Sequence, residues 1–138
     1  MMDGSGGGSW ARGIGAITLF VEDVAAAKAF YREVFELPVH YEDDVSCVFA
    51  FGPTLVNLLA VGEAPELIGP AAVGSAGDGA RFQLTVDVAD VDAVVARLRE
   101  RGVELLNGPM NRPWGPRTAA FRDPGGHAWE IAGPAAAT

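Results

Sequence analysis

The sequence predicts an α+β fold made from one β-α-β-β-β module used twice, and three observations carry that reading. First, Ile17-Thr18-Leu19-Phe20-Val21-Glu22-Asp23-Val24 returns 67 residues later as Leu84-Thr85-Val86-Asp87-Val88-Ala89-Asp90-Val91. Second, in both copies an alternating strand runs into an Asp and then into an amphipathic helix. Third, each helix is followed by three short β-prone runs separated by turn residues. A stretch repeated at a fixed offset marks a duplicated supersecondary unit.

The elements follow in order. A first strand from about Ile14 to Val21 buries Ile17, Leu19 and Val21 on one face. Asp23 caps a helix over roughly Val24 to Phe35, whose stripe is Val24, Ala27, Phe30, Tyr31 and Val34. Leu37-Pro38 ends it. Strands near Val39–Tyr41, Val45–Phe51 and Leu55–Val61 complete the module, with Gly52-Pro53 turning between the last two. The second copy has a strand from Arg81 to Val88 and Asp90 as cap. Its helix stripe is Val91, Val94, Val95 and Leu98, and Gly102 is the stop. Strands at Val103–Leu106, Arg117–Arg122 and Ala128–Ala132 close it. The expected boundaries are a disordered Gly/Ser-rich tail at 1–12, a first module at 13–61, a linker at 62–79, a second module at 80–133 and a tail at 134–138.

Composition narrows the function classes. The chain has 18 acidic against 10 basic residues, a net charge of −8, and 49% hydrophobic residues. An acidic surface argues against nucleic acid as a partner. The apolar content is ample for a core. No apolar run is long enough for a membrane helix and no signal-peptide core is present, so no membrane partner and a cytoplasmic location are expected. The lone Cys47 sits in an apolar run and reads as a buried, inert thiol.

The opening strand-Asp-helix with Phe30-Tyr31, and the ending Trp114-Gly115-Pro116-Arg117…Phe121-Arg122-Asp123-Pro124-Gly125-Gly126-His127-Ala128-Trp129-Glu130, resemble the glyoxalase/bleomycin resistance/dioxygenase (vicinal oxygen chelate) superfamily, and its bleomycin-resistance branch in particular. The resemblance spans about residues 14–132. It implies paired modules that form a cup-shaped mixed sheet, with helices on the convex face and a ligand inside. It also implies a homodimer formed by exchanging modules. Enzymes of the superfamily hold a divalent metal with His, Glu or Gln on the first and last strands of each module.

Strand parity then indicates which side chains face the cup. With Ile17, Leu19 and Val21 turned to the helix, Ala16, Thr18 and Phe20 face inward, as do Gln83, Thr85 and Asp87 in the second copy. Leu55, Asn57 and Leu59, and Ala128, Glu130 and Ala132, face inward on the last strands. The metal-ligand positions implied by the resemblance are Ala16, Asn57, Gln83 and Glu130. An alanine, two neutral amides and one carboxylate make a poor site for zinc, nickel or iron. No metal and no cofactor is expected. His40 reads as an ordinary strand residue, and His127, three residues before Glu130, has the opposite parity at a turn.

What remains is an apolar concavity with a few polar groups, the profile of a small-molecule site. The expected ligand-binding residues are Trp114, Asn57, Gln83, Glu130, Thr18, Phe20 and Phe49. Trp114 is held between Pro113 and Pro116, where it either stacks on a flat ligand or packs on the sheet rim. Parity in the Val45–Phe51 run is ambiguous, which leaves Phe49 open. Arg117 reads as a surface ion pair, and Trp10 either folds over a neighbouring subunit or has no role. The expected function is non-catalytic: an antibiotic-resistance protein that sequesters an apolar or aromatic drug or natural product in a dimer cleft. The alternative is a glyoxalase-like lyase or isomerase, metal-dependent or using Glu130 as general base.

Overall fold

A computed structural model describes residues 9–136. The expected disordered tail at 1–12 therefore falls mostly outside the described residues. The order is β1 (Ala16–Val21), α1 (Val24–Val34), β2 (Tyr41–Glu42), β3 (Ser46–Phe51), β4 (Thr54–Ala60), α2 (Ala64–Ile68), β5 (Gln83–Asp87), α3 (Val91–Glu100), β6 (Leu105–Asn111), β7 (Arg117–Arg122) and β8 (Ala128–Gly133). Two four-stranded mixed sheets result, ordered β1-β4-β3-β2 and β5-β8-β7-β6, with β1 and β5 as corresponding edges. The stretch between modules is more structured than its Gly/Pro content suggests, carrying α2 and 3-10 turns at Val61–Glu63 and Ala76–Asp78.

The duplicated Asp residues act identically. The Ala26 amide donates to Asp23 Oδ1 at 3.0 Å, and the Ala93 amide donates to Asp90 Oδ1 at 3.1 Å, so each carboxylate satisfies one of the free amides at a helix start. Gly102, with φ of +78°, follows the last turn of α3 and supplies the left-handed conformation that ends it.

Alternation sends Leu19, Val21, Phe49, Val56 and Leu58 from the first sheet, and Phe121, Trp129 and Ile131 from the second, into one buried core. The two core-facing sides meet directly. Phe51 in β3 stacks on Trp129 in β8 with centroids 5.2 Å apart, and Phe35, just past α1, lies 4.8 Å from the same indole. The opposite, outer face of each sheet therefore looks away from the other sheet. That geometry positions everything that follows.

One expected strand was too short. The expected strand ends at Leu106, yet β6 starts at Leu105 and runs through Asn107-Gly108-Pro109 to Asn111 with register shifts against β7. Gly108 makes this possible: its φ is +83°, and a Cβ there would meet the Thr118 carbonyl oxygen at 2.5 Å.

Candidate functional site

On the first sheet, register places Thr18, Asn57, Val48 and Tyr41 in one row across the outer face. Ala16 and Leu55 lie to one side of this row, Phe20 and Leu59 to the other. The surface mixes apolar side chains with the hydroxyls of Thr18, Tyr41 and Ser46 and the amide of Asn57, whose Oδ1 is buried with no hydrogen-bonding partner among the described residues. Such an orphaned acceptor costs about 1–3 kcal/mol and is a ready place for an incoming donor. Phe20 also lines a cleft of about 210 Å³ with Glu22, Phe82 and His127, beneath the connecting segment.

On the second sheet, the matching row is Asn107, Ala120, Glu130 and Thr85. Glu130 Oε1 accepts from Thr85 Oγ1 at 2.9 Å. Gln83 lies two residues before Thr85 on the same face and is exposed. At the far side, Arg112 donates through Nε to Thr118 Oγ1 at 2.7 Å and through Nη2 to Asn107 Oδ1 at 2.8 Å. Its guanidinium carbon lies 5.6 Å from the centre of the Trp114 ring, which is 71% exposed. Trp114 thus stands out from the sheet on an arginine rather than packing flat on the rim.

The structure therefore divides the residues picked out by strand parity. Thr18, Phe20 and Asn57 share one outer face, while Gln83, Glu130 and Trp114 share the other. Phe49 belongs to neither, which corrects its assignment as a ligand-binding residue. It is 0% exposed on the core side, its ring 5.6 Å from that of Tyr31. The Ser46–Phe51 run lacks polar-apolar alternation, so parity could not be read from it. Arg112 was missed altogether. The signal available for it was an arginine two residues before a proline-flanked tryptophan.

The four positions matching the superfamily's metal ligands do not suit a divalent ion. Ala16 has no donor, Asn57 and Gln83 are neutral amides, and Glu130 already binds Thr85. Within one chain, Ala16 and Asn57 face away from Gln83 and Glu130. Among the described residues, no group of three or more His, Cys, Asp or Glu is placed to hold a metal.

A groove of about 580 Å³ lies at the seam between the modules. Phe35, Phe51 and Trp129 contribute to its lining, and Thr54, Thr85 and Asp87 are its polar members. Ile14, Ile17, Leu84 and Val86 bring it to the open edges of β1 and β5. None of the residues expected to bind ligand lines it.

A buried polar network ties the modules together behind these faces. Tyr31 in α1 donates to Asp123 Oδ2 at 2.6 Å and accepts from Trp129 Nε1 at 3.1 Å. Asp123 Oδ1 also accepts from the amides of Gly125 at 3.0 Å and His127 at 2.9 Å. His127 Nδ1 lies 2.9 Å from the same oxygen, within hydrogen-bonding distance. Burial alone would raise the Asp123 pKa, but hydrogen bonds from His127 and Tyr31, with the His127 charge, outweigh it and hold the carboxyl below its ordinary value. Burial first, and then the adjacent Asp123 carboxylate, push the Tyr31 phenol far above its ordinary range. Arg117, as expected, forms a surface ion pair, with Asp92 at 2.9 Å.

No described helix is long and apolar enough to cross a membrane. Comparison with known proteins fits the geometry. A family model for the glyoxalase/bleomycin resistance protein/dioxygenase superfamily matches residues 13–131. The uncharacterized protein YraH of Bacillus subtilis (strain 168) is 33% identical over 119 residues, which cover 83% of this chain and 93% of that protein. A glyoxalase/bleomycin resistance protein/dioxygenase from Nocardioides has a TM-score of 0.80 at 22% identity, covering 92% of this chain and 86% of that one, a likeness of fold. TnmS3, an antibiotic binding protein from Streptomyces sp. CB03234, has a TM-score of 0.68 at 28% identity, covering 92% of this chain and 99% of that one. Lactoylglutathione lyase from Agrobacterium tumefaciens has a TM-score of 0.70 at 25% identity, covering 88% and 92%. With its doubled module, its sheet order and its matched sequence, the chain belongs to the glyoxalase/bleomycin resistance protein/dioxygenase superfamily.

Proposed function

We propose that this chain is a non-catalytic small-molecule binding protein of the bleomycin-resistance type, sequestering an apolar or aromatic drug or natural product in the cytoplasm. The observation that carries the reading is the chemistry of the outer faces: small and apolar side chains interspersed with hydroxyls and amides, one orphaned amide oxygen, the Asp87 and Glu130 carboxylates, the Arg112 guanidinium and the exposed Trp114 indole, with no imidazole or thiol among them. Donors of that kind orient a ligand without activating it. The likeness to an antibiotic binding protein supports this.

The same reading makes the chain a homodimer. Each outer face is only half a cup, and the unpaired edges of β1 and β5 are templates for a partner strand. The first module of one copy and the second module of another would set Thr18, Phe20 and Asn57 opposite Gln83, Glu130 and Trp114. The apolar seam groove along those edges would be covered in the same step. Titration with a panel of aromatic antibiotics, followed by tryptophan fluorescence and by sizing, tests both parts. Saturable quenching by a dimer supports the reading, and no quenching across the panel contradicts it.

A lyase or isomerase reading has one observation in its favour, the half-buried Glu130 on the ligand-facing side, and one relative of that kind. Turnover of a glyoxalase-type substrate that is lost in Glu130→Gln would establish it.

A further inference from the structure

Building on the small-molecule reading, we infer that the outer face of the second module selects a flat aromatic molecule carrying an acidic oxygen, which pairs with Arg112 while its ring lies against Trp114. The guanidinium is fixed before any ligand arrives. Thr118, 1% exposed, anchors Nε, and Asn107 anchors one hydrogen of Nη2. The Nη1 amine and the second Nη2 hydrogen are left free to donate.

Both anchors are neutral, so the positive charge is not cancelled. Among the described residues Arg112 has no carboxylate within ion-pair reach, and unlike the other unpaired arginines (Arg12, Arg32, Arg81, Arg99 and Arg122) its guanidinium is held by two side-chain hydrogen bonds on the outer face. In a chain with 18 acids and 10 bases, a rigid, uncancelled cation on a ligand-facing surface fits an anionic group. A guanidinium suits a planar or tetrahedral oxyanion because its N–H groups donate in a fixed fork.

The floor beside it is built of small side chains. Ala120 and Ala132 occupy the outward positions of β7 and β8 next to Thr118 and Glu130. Such side chains project little above the sheet, and a ring laid over them would reach from the Arg112–Trp114 pair toward Glu130. Asn107 and Glu130 are two strands apart, roughly 10 Å at ordinary strand spacing. A ring system of naphthalene size fits that span, and Glu130 takes a donor at its far end.

Two dyes provide the test: anilinonaphthalene sulfonate, and phenylnaphthylamine, which has the same rings without the sulfonate. The sulfonate dye is expected to bind the wild-type protein about tenfold more tightly. Arg112→Gln removes that preference, weakening the sulfonate dye about tenfold more than the uncharged one. Arg112→Lys recovers part of it, since the ammonium keeps the charge but loses the fork. Trp114→Ala weakens both dyes. Equal binding of the two dyes to the wild type, or a preference that survives Arg112→Gln, overturns the assignment to Arg112 and leaves the small-molecule reading standing. If neither dye binds, both readings fall.

Discussion

Replacing Asp123 tests whether the two modules are joined by a polar link as well as by apolar packing. The carboxylate is 5% exposed and accepts from the Tyr31 hydroxyl, the Gly125 and His127 amides and His127 Nδ1. Asp123→Ala strands all of these donors. The Tyr31 side, fully buried, has no route to water, and an unsatisfied buried donor costs about 1–3 kcal/mol. The two amides and the ring nitrogen are only partly buried and recover some hydration. A total loss of about 3–5 kcal/mol follows, typical of removing one partner from a buried charged network. Urea denaturation at neutral pH reads it as a drop in midpoint at unchanged slope.

The pH dependence supplies the sign. Asp123 is held below its unfolded value of about 3.9, so its contribution is fully present above that pH. It is lost as the pH falls through the lower folded value. The stability gap between wild type and Asp123→Asn should therefore shrink as the pH falls below about 3.9. A loss under about 1 kcal/mol for Asp123→Ala, or a gap that does not respond to acid, refutes the network.

Other consequences are simpler to check. Phe49→Ala should cost about 3–5 kcal/mol in the same urea assay and leave ligand affinity per folded molecule unchanged, because the ring lies on the core side. Asp23→Ala and Asp90→Ala should each cost about 1 kcal/mol, nearly equally, since the repeat uses both as caps. Gly108→Ala should destabilise by about 1–3 kcal/mol and increase amide exchange along β6, as its Cβ would strike β7. Arg117→Ala should cost about 1–2 kcal/mol, since its guanidinium, 19% exposed, bonds Asp92 through Nε and Nη2 and Asn111 through Nη1.

The sequence made the elements legible because the physics that sets them is local. The duplicated Asp caps, the alternation at Ile17-Leu19-Val21 and the helix stripes each declare themselves within a few residues. Phe49 could not be placed because Ser46–Phe51 offers no polar partner positions from which to read a face. The length of β6 was hidden because the close approach of β7 to Gly108 is known only from the fold. Arg112 is marked in the sequence only by standing two residues before Trp114; its meaning comes from Thr118 and Asn107, which only the fold brings beside it. Most consequential is the joining of the modules. Each strand shows that it buries one side, but nothing local says that both sheets bury that side against each other. That contact, made by Phe51 and Trp129, splits the candidate site between two opposite faces.

The most direct measurement is native mass spectrometry of the protein saturated with a bound aromatic antibiotic, followed by release and weighing of the ligand. Two copies of the chain should hold the compound and return it at its original mass. A metal-bearing complex that returns a chemically altered compound would contradict the account.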